Sequence, residues 1–367
     1  MSELAAKIAR QIRTGGPMPV SQYMALCLFD PEHGYYTTRE PIGAAGDFIT
    51  APEISQMFGE LVAVWLCAAW TAAEKPSRLT LAEIGPGRGT LSADIVRTLR
   101  QVAPRMLEAA DVVLVETSPR LRAMQEELLK DIGVAVRWVD DVATLPDQPL
   151  FIAGNEIFDA VPVRQYVRAG GAWRERMIGL AADGSLEFTA GAGTLDDALL
   201  PADADMQPEG SIFEVAPQRA ALMSAIGARI AYDGGAGLFF DYGHLQPGFG
   251  DTFQAVRRHQ TVDVLADPGL ADLTSHVDFH ALAEAARREG LTASAMEQGA
   301  FLAAMGIAER AGQLGAGKGA DVQRTIVTAV ERLCAVEHMG RLFKVLGVYP
   351  QRILLPPFDT QGGDRPH

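Results

Sequence analysis

The chain has 367 residues, 48% of them hydrophobic and 21% charged, which is ample for a sizeable buried core and excludes a disordered or low-complexity protein. Against 46 Asp and Glu stand 32 Lys and Arg, and the net charge of −14 is a poor footprint for a nucleic-acid binder but suits a basic partner. Three cysteines, Cys27, Cys67 and Cys334, lie far apart without a CxxC pair, so neither a disulfide framework nor a metal cage is expected, and a reducing compartment is.

In chain order, Leu4, Ile8 and Ile12 mark a first helix that stops at Gly15-Gly16-Pro17. It carries no secretory signal pattern, so the protein is expected to stay where it is made. No run reaches the roughly 18 apolar residues of a membrane span. The most apolar run, Leu61 to Ala73, is bracketed by Glu60 and Glu74 and reads as a buried helix. Residues 1–78 therefore read as a helical cap, interrupted by a loop that includes 43–48.

Strands and helices then alternate. Leu79–Ile84 is a short apolar run ending at glycines; Leu91, Ile95, Leu99 and Val102 follow at helical spacing. Val112–Val115 ends in Glu116, and Ser118-Pro119 starts a helix with Leu121, Met124 and Leu128 on one face. Val134–Val139 ends in Asp140-Asp141, and Leu150–Ala153 in Gly154-Asn155-Glu156. This βαβαβ pattern predicts an open parallel sheet, whose ligands sit beyond the carboxyl ends of its strands.

Residues 79–165 are thus the cofactor-binding half of the core. Residues 166–235 read as an insertion facing substrate, with a hairpin at Asp183-Gly184. Residues 236–367 complete the sheet, with helices near 278–289 and 319–339 and strands near 291–297 and 342–349.

The run Glu83-Ile84-Gly85-Pro86-Gly87-Arg88-Gly89 carries the chemistry. Its glycines let a ligand approach the backbone. Its spacing is GxGxG, and the carboxylate of Glu83 would repel a pyrophosphate but attract a cofactor bearing a sulfonium and an ammonium. Glu116 is placed to accept both hydroxyls of a ribose, each charge-assisted bond contributing roughly 1.5–3 kcal/mol. Asp141 and Val142 can bind an adenine amino group and pack its ring. These four strand ends resemble the class I methyltransferases that use S-adenosylmethionine and release S-adenosylhomocysteine.

Further motifs narrow the resemblance. They are Asp30-Pro31-Glu32-His33-Gly34-Tyr35-Tyr36, Gly46-Asp47-Phe48-Ile49-Thr50-Ala51-Pro52-Glu53, Asn155-Glu156-Ile157-Phe158-Asp159-Ala160-Val161-Pro162, Asp241-Tyr242-Gly243-His244 and Asp272-Leu273-Thr274-Ser275-His276-Val277-Asp278-Phe279. With them nearly the whole chain resembles the MidA family, whose mitochondrial members are complex I assembly factors acting as protein arginine methyltransferases. The resemblance implies a Rossmann-like α/β fold with a helical N-terminal cap and symmetric dimethylation of an arginine on a complex I subunit. It implies a cytoplasmic location in a bacterium, or the mitochondrial matrix in a eukaryote.

Asn155 joins the cofactor set with Glu83, Gly85, Gly87, Gly89, Glu116, Asp141 and Val142. Glu156 and Asp159 are the catalytic pair, because a guanidinium matches carboxylates bidentately. The Asn/Asp-Pro-Pro-aromatic motif of base methyltransferases lacks its prolines here, which argues further against nucleic acid. Asp159 reads equally as a carboxylate bracing a loop. Residues 47–50 and Glu53 read either as a lid over the cofactor or as a packed loop. His276 and Asp278 read either as an acid–base pair or, more readily, as structural residues of a strand-to-helix junction, and Gly315–Gly319 reads as a turn before a helix. Two other classes stay open at this point: an assembly chaperone with a retained cofactor pocket, and a nicotinamide-dependent oxidoreductase.

Overall fold

In the computed structural model, residues 2–38 and 49–358 are described. They form two compact units. One comprises residues 49–157, 221–245 and 277–358; the other comprises 2–38, 158–220 and 246–276. The expected stretch Gly43–Phe48 lies outside the described residues.

The first unit is the parallel sheet. Its strands are β1 (Leu79–Ile84), β2 (Ala110–Val115), β3 (Val136–Val139), β4 (Leu150–Asn155), β5 (Gly235–His244), β6 (Leu291–Glu297) and β7 (Phe343–Pro350). They lie in the order β6-β7-β5-β4-β1-β2-β3, with β7 antiparallel to both neighbours and a two-residue strand, Val277–Asp278, beside the end of β5. Every residue of β1 and β4 is buried, as continuous apolar strands covered on both faces must be. Chain order reverses between β1 and β4, the kind of switch point where open α/β sheets bind ligands.

Helices α1 (Gln56–Ala72), α2 (Thr90–Val102), α3 (Pro119–Leu129) and α4 (Phe279–Arg288) belong to the same unit. The Ser55 hydroxyl caps α1 by accepting from the Met57 N–H at 3.2 Å, and the apolar run beyond it is buried along Leu61, Val62, Trp65, Leu66 and Ala69. Each such side chain removed from water contributes about 1.5–3 kcal/mol before its entropy is counted. Phe58 of α1 meets Phe240 of β5 edge to face at 4.7 Å between ring centres. No helix among the described residues is long and apolar enough to cross a membrane.

The second unit is antiparallel. Strands Met18–Pro19, Arg164–Ala169, Ala172–Leu180, Leu186–Thr194 and Ile212–Val215 share one sheet, and Gln254–Arg257 pairs with Gln260–Val262 and Asp272–Thr274 in another. The hairpin turning at Asp183-Gly184 is present, with Gly184 at φ +84°. Helix Glu3–Gly15 buries Leu4, Ile8 and Ile12 in this unit's core, with Val20, Met24, Cys27 and Leu28 of helix Val20–Phe29.

Candidate active site

Strand register sets the site. Ile84 of β1 pairs with Val115 of β2 and Gly154 of β4, and Val115 pairs with Val139 of β3. The next residues along each strand, Gly85, Glu116, Asp140 and Asn155, therefore emerge in one row at the carboxyl edge. Adjacent strands lie about 4.8 Å apart, so this row spans the width of one nucleoside-sized ligand.

At the end of β1 the chain turns through Gly85, Gly87 and Gly89 at φ +63°, +53° and +90°. At Gly85 the need for glycine is twofold: the left-handed backbone, and a space in which a Cβ would stand 2.6 Å from Cγ2 of Ile157. The Gly85 N–H donates to the Val115 carbonyl at 3.1 Å and the Gly89 N–H to Pro86 at 2.7 Å, which fixes the turn. Glu83, expected to meet a cationic cofactor, is sealed behind this turn at 3% exposure. Its carboxylate accepts from the hydroxyl and N–H of Ser92, and burial pushes its pKa up to about 7. It ties the first turn of α2 to β1.

Glu116 closes β2, 8% exposed, with its pKa raised by burial. One carboxylate oxygen accepts from the Ser118 N–H at 2.7 Å and the other from Nε2 of Gln125 at 3.3 Å. The same Gln125 amide donates to the Gly87 carbonyl at 2.7 Å, and its oxygen accepts from Nε1 of Trp138 at 2.7 Å. Gln125 thus joins the ends of β1, β2 and β3.

Apolar spacing alone predicts Leu121, Met124 and Leu128 as the inner face of α3. The structure corrects this: Gln125 and Leu129 are buried, and Leu128 is 48% exposed. An amide displaces the leucine because three polar groups need it there. The only trace in the sequence is a polar residue four positions before a leucine on an otherwise apolar face.

Asp141 Oδ1 accepts from the Ala143 N–H at 2.8 Å and caps a short turn, while Val142 beside it is buried. At β4, the Asn155 amide donates to Oε1 of Glu156 at 2.9 Å. Oδ1 of Asn155 is buried with no hydrogen-bond partner among the described residues, an acceptor open to a ligand donor. Glu156 holds φ +54°, and its N–H donates to the Phe240 carbonyl at 2.8 Å. A non-glycine residue there is strained, and such strain clusters at functional sites.

Asp159 belongs to the second unit and is buried. Its carbonyl accepts from Arg219 at 3.1 Å and from the Ser275 N–H at 3.3 Å. Arg219, itself buried, also donates to the carbonyls of Val161 and His276 and to the Ser275 hydroxyl. Tyr36 donates its hydroxyl to Asp272 at 3.2 Å; burial, then the charges of Asp272 and Asp159, push its pKa well up. Tyr36 and Asp272 both lie in motifs that carry the family resemblance. Asp278 caps α4, its Oδ1 accepting from the Ala281 N–H at 3.0 Å, the structural role expected of it. Gly315–Gly319 precedes helix Ala320–Cys334 as a turn.

A glycine turn at the switch point, a carboxylate closing the next strand and an orphaned amide oxygen beside a strained glutamate line the carboxyl edge of this sheet. This is the construction of a doubly wound, nucleoside-binding α/β enzyme. The chain belongs to the S-adenosyl-L-methionine-dependent methyltransferase family Methyltransf_28, whose profile matches residues 61–296. It is a methyltransferase, and S-adenosylmethionine is its cofactor.

It is 34% identical to the mitochondrial protein arginine methyltransferase NDUFAF7 of Danio rerio, over 93% of this chain and 85% of the relative. To the Homo sapiens NDUFAF7 it is 33% identical, over 94% and 82%. A Burkholderia thailandensis structure with bound S-adenosyl-homocysteine superposes with a TM-score of 0.83 at 28% identity, covering 99% of this chain and 95% of that one.

Proposed function

We propose that this methyltransferase acts on a protein arginine and that Glu156 presents the guanidinium. The observation that carries the reading is Glu156 itself: a carboxylate in a left-handed conformation at the end of β4, held by Asn155, one strand from the glycine turn. The relatives named protein arginine methyltransferase support the same substrate.

When bound, the cofactor supplies an electrophilic methyl group on a sulfonium. Gly85, Gly87 and Gly89 would admit its amino-acid end, Glu116 its ribose, Asp141 and Val142 its adenine, and Asn155 would offer an acceptor at the reacting end. A free guanidinium is fully protonated and its lone pair is delocalised. Glu156 would draw the positive charge towards the nitrogens it binds, leaving the opposite nitrogen richer in electrons and aimed. Orientation of this kind can recover about 7–11 kcal/mol of a two-reactant barrier. Asp159 is the second proposed substrate carboxylate.

The MidA resemblance extends the proposal to symmetric dimethylarginine on a respiratory complex I subunit. The compartment is the cytoplasm in a bacterium or the mitochondrial matrix in a eukaryote; the relatives are named mitochondrial. The test is incubation with methyl-labelled cofactor and candidate proteins, followed by mass spectrometry of labelled peptides. Symmetric dimethylarginine on a complex I subunit is expected. Methyl-lysine or methylated nucleotide would overturn the arginine assignment and leave the methyltransferase standing.

A further inference from the structure

Three carboxylates surround the start of α2 within one unit, and they are not equivalent. Glu83 is sealed and engaged by Ser92. Asp94 lies under α1, where a Cβ on Gly59 would stand 2.5 Å from its own Cβ, and it pairs with Arg97 at 2.7 Å. Glu53, in the short helix Ala51–Ile54, is only half-buried and accepts a hydrogen bond from the Thr90 hydroxyl. Thr90 is the first residue of α2, directly after Gly89. The N-cap is that glycine and offers no side-chain acceptor to the helix.

The amino-acid end of the cofactor carries an ammonium and a carboxylate on one carbon. The Glu83 carboxylate already takes the Ser92 N–H, but the N-cap has no side chain, so the turn ahead of Ser92 suits the cofactor's carboxylate through its N–H groups and the dipole. The ammonium needs a carboxylate that solvent and ligand can reach. Glu83 and Asp94 are closed off at 3% and 4% exposure, which leaves the half-buried Glu53.

We propose that Glu53 binds the α-ammonium of the cofactor, with the first turn of α2 taking its carboxylate. This rests on the S-adenosylmethionine assignment and deepens it. Glu83 then has the separate task of fastening α2 to β1 from behind.

Calorimetric titration of the full chain tests it, using S-adenosylhomocysteine and its analogue lacking only the α-amino group. The wild type should prefer the complete ligand by about tenfold or more, as expected for a charge-assisted bond. Glu53→Gln should bind both alike, with the analogue's affinity unchanged from wild type. Glu53→Asp should keep part of the preference, and circular dichroism would confirm that each variant is folded. Retained preference in Glu53→Gln, or equal weakening of both ligands, would overturn the proposal. Failure of the wild type to bind S-adenosylhomocysteine at all would overturn the cofactor assignment with it.

Discussion

Two neighbouring strand ends solve the same backbone problem in opposite ways. After β1 the chain enters the left-handed region with Gly85, and after β4 it does so with Glu156. At Gly85 a side chain has no room, because Ile157 fills the space a Cβ would need. At Glu156 the turn carries a carboxylate, and the protein tolerates a conformation that costs about 1–2 kcal/mol for a residue with a Cβ. Under the proposed roles, glycine suffices where the backbone would meet the cofactor, and strain is accepted where a charge would be aimed at the substrate.

The largest effect that could break this contrast is on rate. Glu156→Gln keeps the shape and the Asn155 contact but loses the charge, and methyl transfer should fall by on the order of a hundredfold. Calorimetry should show S-adenosylhomocysteine affinity unchanged. Near-normal turnover would mean the strain at Glu156 serves only the fold. Asp159→Asn should show a weaker form of the same defect.

Behind the β1 turn, Glu83 sharpens the contrast through pH. Its pKa rises from the ordinary 4.5 to about 7 by burial, so the native state holds its proton across that window while the unfolded chain releases it. The native state then binds more protons, and stability falls as pH rises from 4.5 towards 7, by on the order of 2–3 kcal/mol. Glu83→Gln should flatten that part of the curve in chemical denaturation. Asp94, raised to about 6, is charge-coupled to Glu83, so the difference between the two proteins reports Glu83 together with that coupling. Parallel curves for the two proteins would show that Glu83 is ionised in the fold.

Gly85→Ala should destabilise the protein by about 1–3 kcal/mol through backbone strain and overpacking against Ile157. Adding Ile157→Ala should recover the packing part and leave the strain. Full additivity of the two substitutions would remove Ile157 as the reason for the glycine.

The smallest effect is the most direct test of strain after β4. Glu156→Gly should be more stable than Glu156→Ala by about 1 kcal/mol, because only glycine adopts that backbone freely. Both should be inactive. The reverse order of melting temperatures would mean that the turn relaxes once the glutamate is gone.

Local rules made much of this protein legible. Apolar runs ending at glycines announce β1 and β4, and Ser118-Pro119 announces the start of α3. Period, capping and turn chemistry act over a few residues, so they can be read from a few residues. The row of Gly85, Glu116 and Asn155 also follows once the strands are known to be parallel.

Tertiary structure decided what depends on distant partners. Gln125 is buried and Leu128 exposed because Gly87, Glu116 and Trp138 converge on the Gln125 amide from the ends of three strands. Arg219 finds its carbonyls at positions 159–161 and 275–276, far along the chain. Glu83 is sealed while Glu53 stays half-buried, because burial is not a property of a motif. One carboxylate is shut behind the turn and the other stands at the helix start, and only packing determines which of two identical side chains keeps its access to water and ligand.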